Sequence, residues 1–342
     1  MLLAGIGKGV STMTATAASR CGSAIMLTDK QAMQLDSWKI KGIYAEQGGK
    51  VLLEWTAGGP DRPASIYSCT KSVLSALIGI AVGQGLIGSV SDPVFSYLDM
   101  EEEGIAKAIE DDPRKRDITI QHLLTMTSGL DWPDFDKPYW EMKKAASPAA
   151  FVLGRELAHE PGTAFTYNTG GSQLLSVILT RAAQESLPSF ARKNLFRPAG
   201  IGSARWNRLG EGHEAGAGLS MSMKDLSRFG RLYLQQGRWN GEAIIPPNWI
   251  ADSQKPHHKG LLHYEPSIYG CYGYHWWVSP ESKQDGPGYY FAFGYGGQYL
   301  FVIPSLDMTV VVRKSLDGRN KSIYSRRVLT ELVIPAATGH TW

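Results

Sequence analysis

The first residues with recognisable chemistry are Ser68 and Lys71, which stand in the tetrapeptide Ser-Cys-Thr-Lys. On a helix, a serine and a lysine three positions apart share a face, so the hydroxyl and the amine can meet. A helix N-terminus offers free N–H groups and partial positive charge, which suit an oxyanion. That charge and burial both disfavour an ammonium, so Lys71 can serve as the base that activates Ser68. The pair predicts acyl transfer through a serine nucleophile, although such tetrapeptides also arise by chance.

The elements around the tetrapeptide strengthen this interpretation. It follows a loop containing Pro60 and Pro63, and it opens a run over residues 68–86 that is apolar on most faces and predicts a buried helix. Residues 40–56 predict a hairpin around a Gly-Gly turn. In the last third, short aromatic and β-branched runs predict an antiparallel meander, followed by a closing helix over 320–335; the runs are 272–278, 289–293, 298–303 and 308–313.

Strands therefore stand at both ends of the chain, with mostly helical sequence between them. The economical arrangement is an α/β fold of the α+β type, in which both ends build one antiparallel sheet flanked by helices. We predict an N-terminal extension over 1–34 and a sheet domain formed by 35–86 and 246–342. The residues between them, 87–245, are predicted to form a mostly helical inserted domain.

Composition excludes several other classes of protein. The chain has 342 residues, 43% of them hydrophobic, with a net charge of +3, which does not indicate a nucleic-acid partner. No apolar run approaches the length of a membrane span. The cysteines, Cys21, Cys69 and Cys271, form neither a disulfide framework nor a metal-binding spacing. We expect no metal, a monomer or homodimer, and a cytoplasmic location, with a periplasmic or secreted protein as the open alternative.

Several stretches resemble the serine β-lactamase and penicillin-binding-protein superfamily, in the branch that includes class C β-lactamases, D-alanyl-D-alanine peptidases, carboxylesterases and 6-aminohexanoate-dimer hydrolases. The resemblance covers about residues 35–335 and is carried by residues 68–86, 119–130, 161–175, 218–234 and 270–312. It implies the β-lactamase/transpeptidase-like fold and catalysis without a metal or organic cofactor.

The resemblance also implies roles for residues around Tyr167. The family motif Tyr-x-Asn matches Tyr167-Asn168-Thr169, so Tyr167 would relay a proton between Ser68, Lys71 and the leaving group. The alternative is an ordinary buried tyrosine beside a Gly-Gly turn. Thr169 stands where the family usually has asparagine, so a substrate-contacting hydroxyl remains while the amide is lost.

The third family motif, Lys-Thr-Gly or His-x-Gly, matches Tyr295-Gly296-Gly297 and is followed by Gln298. The resemblance makes Gln298 the second oxyanion N–H beside that of Ser68, while Gly297 lets the strand backbone approach the substrate. Tyr295 brings no charge where the family has a cation that holds the substrate carboxylate, and charge-assisted bonds are roughly twice as strong as neutral ones. The site is therefore expected to favour a neutral ester or amide over a β-lactam.

One further group of aromatic residues lies close to these motifs in the resemblance. Trp132, Tyr139 and Trp140 follow a Ser-Gly-Leu segment that lines the substrate cleft in relatives. They form either an apolar cleft wall or ordinary packing, and the sequence leaves both alternatives open.

Three functions remain open at this point. The first is a serine hydrolase that forms an acyl-enzyme with a small ester or amide, similar to a carboxylesterase or a 6-aminohexanoate-dimer hydrolase. The second is a β-lactamase or D-alanyl-D-alanine carboxypeptidase acting on a lactam or peptide. The third, of another class, is a non-catalytic binding protein that retains the fold.

Overall fold

The computed structural model describes residues 25–102, 104–134, 137–259, 270–281, 286–317 and 322–339. Most of the predicted extension 1–34 lies outside the described residues. Helix α1 (Asp29–Ser37) begins in its last part, capped reciprocally by Thr28 and Gln31. The division into a sheet domain and an inserted helical domain remains a prediction.

The main sheet is built from both ends of the described chain, as predicted. Its neighbouring strands are all antiparallel and follow the order β10-β11-β12-β13-β14-β1-β2. The strands are β1 (Ile40–Gln47), β2 (Lys50–Thr56), β10 (Cys271–Tyr272), β11 (Trp277–Ser279), β12 (Tyr289–Gly294), β13 (Gln298–Ile303) and β14 (Met308–Lys314). The predicted hairpin over 40–56 is confirmed, and Gly48 and Gly49 take the positive φ values that its turn requires.

Short strands outside this sheet mostly join loops in the middle of the chain. They are β3 (Ala64–Ser65), β4 (Arg205–Trp206), β5 (Arg208–Leu209), β6 (Gly212–His213), β7 (Leu219–Met221), β8 (Arg238–Trp239) and β9 (Glu242–Ala243). The pairing of β3 with β7 matters most for the site, because it fixes the loop that leads to Ser68.

Helices supply most of the regular secondary structure between β2 and β10. They are α2 (Thr70–Gly83), α3 (Ile105–Asp111), α4 (Ile120–Leu124), α5 (Lys137–Met142), α6 (Pro148–Leu153), α7 (Thr169–Ala183), α8 (Leu187–Ala191), α9 (Met223–Leu234) and α10 (Pro247–Gln254). After the sheet come α11 (Ile323–Arg327), a π-helical turn (Val328–Val333) and α12 (Ile334–Ala337). The predicted closing helix is therefore three consecutive pieces.

Helix α2 is the central element of the fold. A 3₁₀ turn (Tyr67–Cys69) leads into it, and every residue from Thr70 to Ala81 is buried, as expected for a helix without a polar face. The predicted end at Leu86 is three residues too far, since regular structure stops at Gly83 and Gly85 turns the chain with φ +70°. Burial on all sides gives the start of this helix a fixed position.

The meander over the last third is confirmed, with one correction. The run 272–278, predicted as a single strand, is two strands, β10 and β11, which pair with each other. The chain reverses between them at His275, whose φ of +57° lies in the left-handed region. The apolar and aromatic composition of the run conceals this turn.

Candidate functional site

Ser68 and Lys71 meet at the start of the central helix, as their spacing predicts. The Lys71 Nζ lies 3.1 Å from the Ser68 Oγ and donates to the Gly216 carbonyl at 2.9 Å. The residue before Ser68, Tyr67, has φ +48°, so the turn that carries Ser68 is held in an uncommon backbone conformation. This arrangement lets an amine receive a proton from the serine hydroxyl.

Burial sets the charge of the lysine. Only 1% of Lys71 is exposed, and loss of hydration lowers its pKa from 10.5 to about 8. The negative charges of Asp134 and Glu214 act in the opposite direction and keep the shift from being larger. A substantial fraction of Lys71 is therefore neutral in mildly alkaline solution, which is what a general base needs.

Tyr167 lies beside the pair, with its ring centroid 5.0 Å from the Lys71 Nζ. The ring stacks on Trp277 at 6.0 Å and meets the edge of Tyr272, so the sheet fixes its orientation. The next residue, Asn168, caps helix α7 by accepting from the Gly171 N–H at 2.8 Å. Its amide oxygen is therefore used within the helix start and does not replace the missing family asparagine.

Thr169 and Trp132 are both bound to one carboxylate. Asp134 accepts hydrogen bonds from the Thr169 N–H at 3.2 Å, from its hydroxyl at 3.1 Å and from the Trp132 Nε1–H at 2.7 Å. Trp132 is buried, with its ring against Gly170 and edge-on to Phe151. The surroundings of Trp132 are therefore those of a packed residue, which is the second of the two alternatives. The Thr169 hydroxyl is directed toward Asp134.

The third motif lies against the 3₁₀ turn Tyr67–Cys69, which carries Ser68. A Cβ on Gly294, at the end of β12, would stand 2.2 Å from the Ile66 carbonyl oxygen, so only glycine permits this approach. The Cys69 thiol, next to Ser68, donates to the Gln298 carbonyl at 3.5 Å. The structure thus brings Gln298 to the start of helix α2, where the resemblance expects the second oxyanion donor.

Tyr295 extends this contact toward Tyr67, since their rings meet edge to face at 6.0 Å and both are partly exposed. A lysine does lie nearby, Lys314 on the adjacent strand, whose stem would touch a Cβ at Gly297. Its side chain is fully buried, and its Nζ pairs with Asp317 and approaches the Ser315 carbonyl at 3.4 Å. The charge of Lys314 is therefore neutralised within the protein.

Comparison with known proteins fits this geometry. The family model described as Beta-lactamase matches residues 15–332. The chain belongs to the beta-lactamase family. Members of the family are serine hydrolases, and the chain is accordingly an enzyme that hydrolyses ester or amide bonds.

Relatives of this beta-lactamase-family protein carry several activities in their names. A 6-aminohexanoate-dimer hydrolase from Paenarthrobacter ureafaciens is 24% identical over 78% of this chain and 70% of its own. A structure from Bacillus anthracis, a candidate 6-aminohexanoate-dimer hydrolase, superposes with TM-score 0.74 at 21% identity, over 90% of this chain and 81% of that one. EstCE1, a hydrolase with promiscuous acyltransferase activity, gives TM-score 0.67 at 17% identity, over 88% and 94%. The two structures support the fold.

The sequence did not indicate the segment that accepts from Lys71 in this beta-lactamase-family chain. Glu214, two residues before Gly216, is buried and accepts from the Tyr139 hydroxyl and from the Lys143 Nζ at 3.1 Å. Tyr139 thereby packs on the site from helix α5, while the neighbouring Trp140 is largely exposed. The run of small residues around Gly216 was the one available signal, and it carries no recognisable chemistry by itself.

His275 is a second residue that the sequence did not indicate. It is buried beneath Lys71, and burial together with the Lys71 charge lowers its pKa to about 3, so the imidazole is neutral. Within the described ranges, no group of His, Cys, Asp or Glu side chains is arranged to hold a metal ion. No helix in the same ranges is both long enough and apolar enough to cross a bilayer.

Proposed function

We propose that this enzyme hydrolyses a neutral ester or linear amide through an acyl-Ser68 intermediate. The observation that carries the proposal is the 3.1 Å contact between the Ser68 Oγ and a buried Lys71 Nζ whose pKa is about 8. A serine hydroxyl beside a largely dehydrated amine is an activated nucleophile.

The proposed reaction has two acyl-transfer steps. Lys71 takes the Ser68 proton as the oxygen attacks the substrate carbonyl carbon, and the oxyanion is stabilised by the N–H groups of Ser68 and Gln298. As the carbon–heteroatom bond breaks, Tyr167 relays the proton from Lys71 to the departing alcohol or amine. Water then attacks the acyl-enzyme, gives its proton back through the same groups, and releases the carboxylic acid and free Ser68.

The preference for a neutral substrate rests on the third motif. The penicillin carboxylate would need a cation near Tyr295, and the charge of Lys314 is already paired with Asp317. The rings of Tyr67 and Tyr295 instead present an uncharged surface beside the nucleophile. The hydrolase names among the relatives support a linear amide or an ester. A β-lactam or D-alanyl-D-alanine substrate is the alternative.

The proposal also covers the compartment and the oligomeric state of the enzyme. We place it in the cytoplasm as a monomer or homodimer that acts on a small molecule. Cys69 and Cys271 are free thiols, which suits a reducing compartment.

A substrate panel tests the proposal. Purified wild-type protein and Ser68→Ala are given p-nitrophenyl esters, a linear aminohexanoate dimer and a fluorescent penicillin, and Ser68 is labelled with a fluorophosphonate. We expect ester or amide turnover by the wild type, no labelling of Ser68→Ala and slow acylation by penicillin. Tyr295→Lys should accelerate penicillin acylation by roughly tenfold or more, since a charged partner is the stronger one.

Each other outcome assigns a different function. Fast penicillin turnover by the wild type would establish the β-lactamase alternative. Turnover that survives Ser68→Ala would contradict the proposed mechanism, because catalysis would then not depend on Ser68. A wild type that is neither labelled nor active would favour a non-catalytic binding protein.

A further inference from the structure

His275 occupies an unusual backbone position directly behind the proposed base. It lies in the turn between β10 and β11 and has φ +57°, a conformation that glycine adopts readily and other residues seldom do. Its side chain is nevertheless enclosed, with 2% of the residue exposed. An imidazole at a position better suited to glycine indicates that the ring itself has a use.

The contacts of His275 converge on the first turn of helix α2. Its Nδ1 lies 3.1 Å from the Lys71 carbonyl oxygen, and its own carbonyl accepts from the Ser72 hydroxyl at 2.7 Å. Because a carbonyl can only accept, Nδ1 carries the proton, and Nε2 is left to accept from the Ser172 hydroxyl at 3.4 Å. The His275 N–H donates to the Leu124 carbonyl at 3.0 Å.

These bonds join the two segments that carry the proposed chemistry. Lys71 and Ser72 belong to the start of α2, while Ser172 belongs to the first turn of α7, a few residues after Tyr167. Leu124 ends helix α4 and anchors the turn from a third side. The imidazole therefore fixes the distance between the segment that carries Lys71 and the segment that carries Tyr167.

We propose that His275 is a positioning residue, whose neutral ring holds the first turn of α2 against α7 and so keeps the Lys71 amine between Ser68 and the Gly216 carbonyl. The inference rests on the proposed function of Ser68 and Lys71. His275 does not touch the reacting atoms and transfers no proton.

A positioning role for His275 implies an effect on the pKa of Lys71. The groups that act on Lys71 are Asp134, Glu214 and Cys69, with the Tyr167 ring beside it and His275 beneath. Burial is the largest of these influences, and the ring packs on the backbone of Lys71 from below. We expect loss of the ring to loosen this packing and admit water, which would raise the pKa of Lys71 toward 10.5 and move the rise of kcat/KM to higher pH.

The test uses full-length His275→Gly and His275→Asn. Glycine removes the ring and suits the positive φ, so backbone strain cannot explain a loss. Asparagine tolerates the same φ and returns an N–H donor near the position of Nδ1. His122→Asn is the matched control, because the His122 ring accepts from the Thr119 N–H at the start of helix α4, away from the contacts of His275. Active protein is counted by fluorophosphonate titration, and kcat, KM and the pH profile are measured with one ester.

We expect His275→Gly to lose roughly 100-fold in kcat with little change in KM, the loss typical of misplaced catalytic groups. Its pH profile should rise at least about one unit later than that of the wild type, by loss of burial. His275→Asn should recover most of the lost kcat and most of the shift in the pH profile. His122→Asn should match the wild type in both quantities. A folded His275→Gly with an unchanged pH profile would overturn the proposal.

Two further results keep the inference separate from the proposed function. If the wild type is inactive and unlabelled, the proposed function is wrong. If the wild type is active and His275→Gly has the same kcat and pH profile, only the positioning role is wrong. If His275→Gly does not fold, Ser172→Ala replaces it, because it releases Nε2 of the ring. We then expect about a tenfold lower kcat at constant KM, and an unchanged kcat would overturn the proposal.

Discussion

In the proposed mechanism, the charge of Lys71 decides at which pH the enzyme can act. Its pKa of about 8 is depressed by burial, so its neutral fraction rises as the pH increases through that value. A base works only in the neutral form, and the sign of the pH dependence follows directly. Asp134 and Glu214 prevent a deeper depression of the pKa, which leaves Lys71 mostly charged at neutral pH.

The first expected outcome concerns this titration. We expect kcat/KM for an ester to rise with pH, to be half-maximal near pH 8 and to level off above it. Lys71→Arg, which keeps the positive charge at every accessible pH, should lose roughly 10²–10⁴-fold and the pH dependence with it. Initial rates of p-nitrophenyl ester hydrolysis from pH 6 to 10 measure both. A rate that falls between pH 7 and 9 would rule out Lys71 as the base.

At the scale of residues, the sequence revealed the groups that bear familiar chemistry and missed those that act by position. Ser68, Lys71 and Tyr167 belong to patterns with a chemical reason. Gly216 contributes a backbone carbonyl, which any residue type could supply. Its contact with Lys71 exists only in the folded chain. A residue that accepts a hydrogen bond through its main-chain carbonyl leaves no mark in the sequence.

At the scale of elements, periodicity predicted helices and strands well where burial alone decides them. Helix α2 and the hairpin of β1 and β2 are such cases. The run 272–278 was predicted wrongly because apolar alternation does not register a turn made of buried residues. That turn depends on hydrogen bonds with Leu124 and Ser72, which lie in helices α4 and α2 far earlier in the sequence, so no local pattern could show it.

Helix α2 also contains a glycine that local propensity does not explain. Gly79 lies within the helix, where alanine is usually more stable by about 1 kcal/mol. A Cβ there would stand 2.4 Å from the ring of Trp249, which packs on the helix from α10. The glycine lets the two helices approach closely.

We therefore expect Gly79→Ala to destabilise the protein by about 1–3 kcal/mol, the cost of overpacking a tight core. Gly202→Ala is the control, because Gly202 has open space around its Cβ position and no positive φ. It should be neutral or stabilising by up to about 1 kcal/mol. Urea unfolding followed by tryptophan fluorescence compares the two. An equally stable Gly79→Ala would contradict the packing argument.

At the scale of the whole molecule, one ionic contact joins the sheet, a helix and the loop that leads to Ser68. Asp61 accepts from the Arg313 guanidinium at 3.0 Å and from the N–H groups of Met223 and Lys224, both at 3.1 Å. Those N–H groups open helix α9, whose dipole favours the carboxylate. Burial lowers the pKa of Arg313, and the Asp61 charge opposes that change.

Removing the carboxylate should therefore affect global stability. We expect Asp61→Ala to lower the free energy of unfolding by roughly 1.5–3 kcal/mol, the range for hydrogen bonds to charged groups, because it leaves the partly buried Arg313 without its counter-charge. Lys107→Ala is the control, since the Lys107–Asp111 pair is exposed and should not shift the unfolding midpoint measurably. Thermal unfolding by circular dichroism measures both. Equal midpoints for Asp61→Ala and the wild type would show that the contact contributes nothing.

The position of β1 between β2 and β14 has a consequence for how the protein is made. Ile43 pairs with Val312, so β1 gains its second neighbour only after β14, far later in the sequence, has left the ribosome. The strand that carries Gln298 also emerges late, long after Ser68 has been translated. A nascent chain that lacks β13 and β14 therefore holds Ser68 in an incomplete site, and hydrolytic activity is expected to begin only after both strands have emerged and paired.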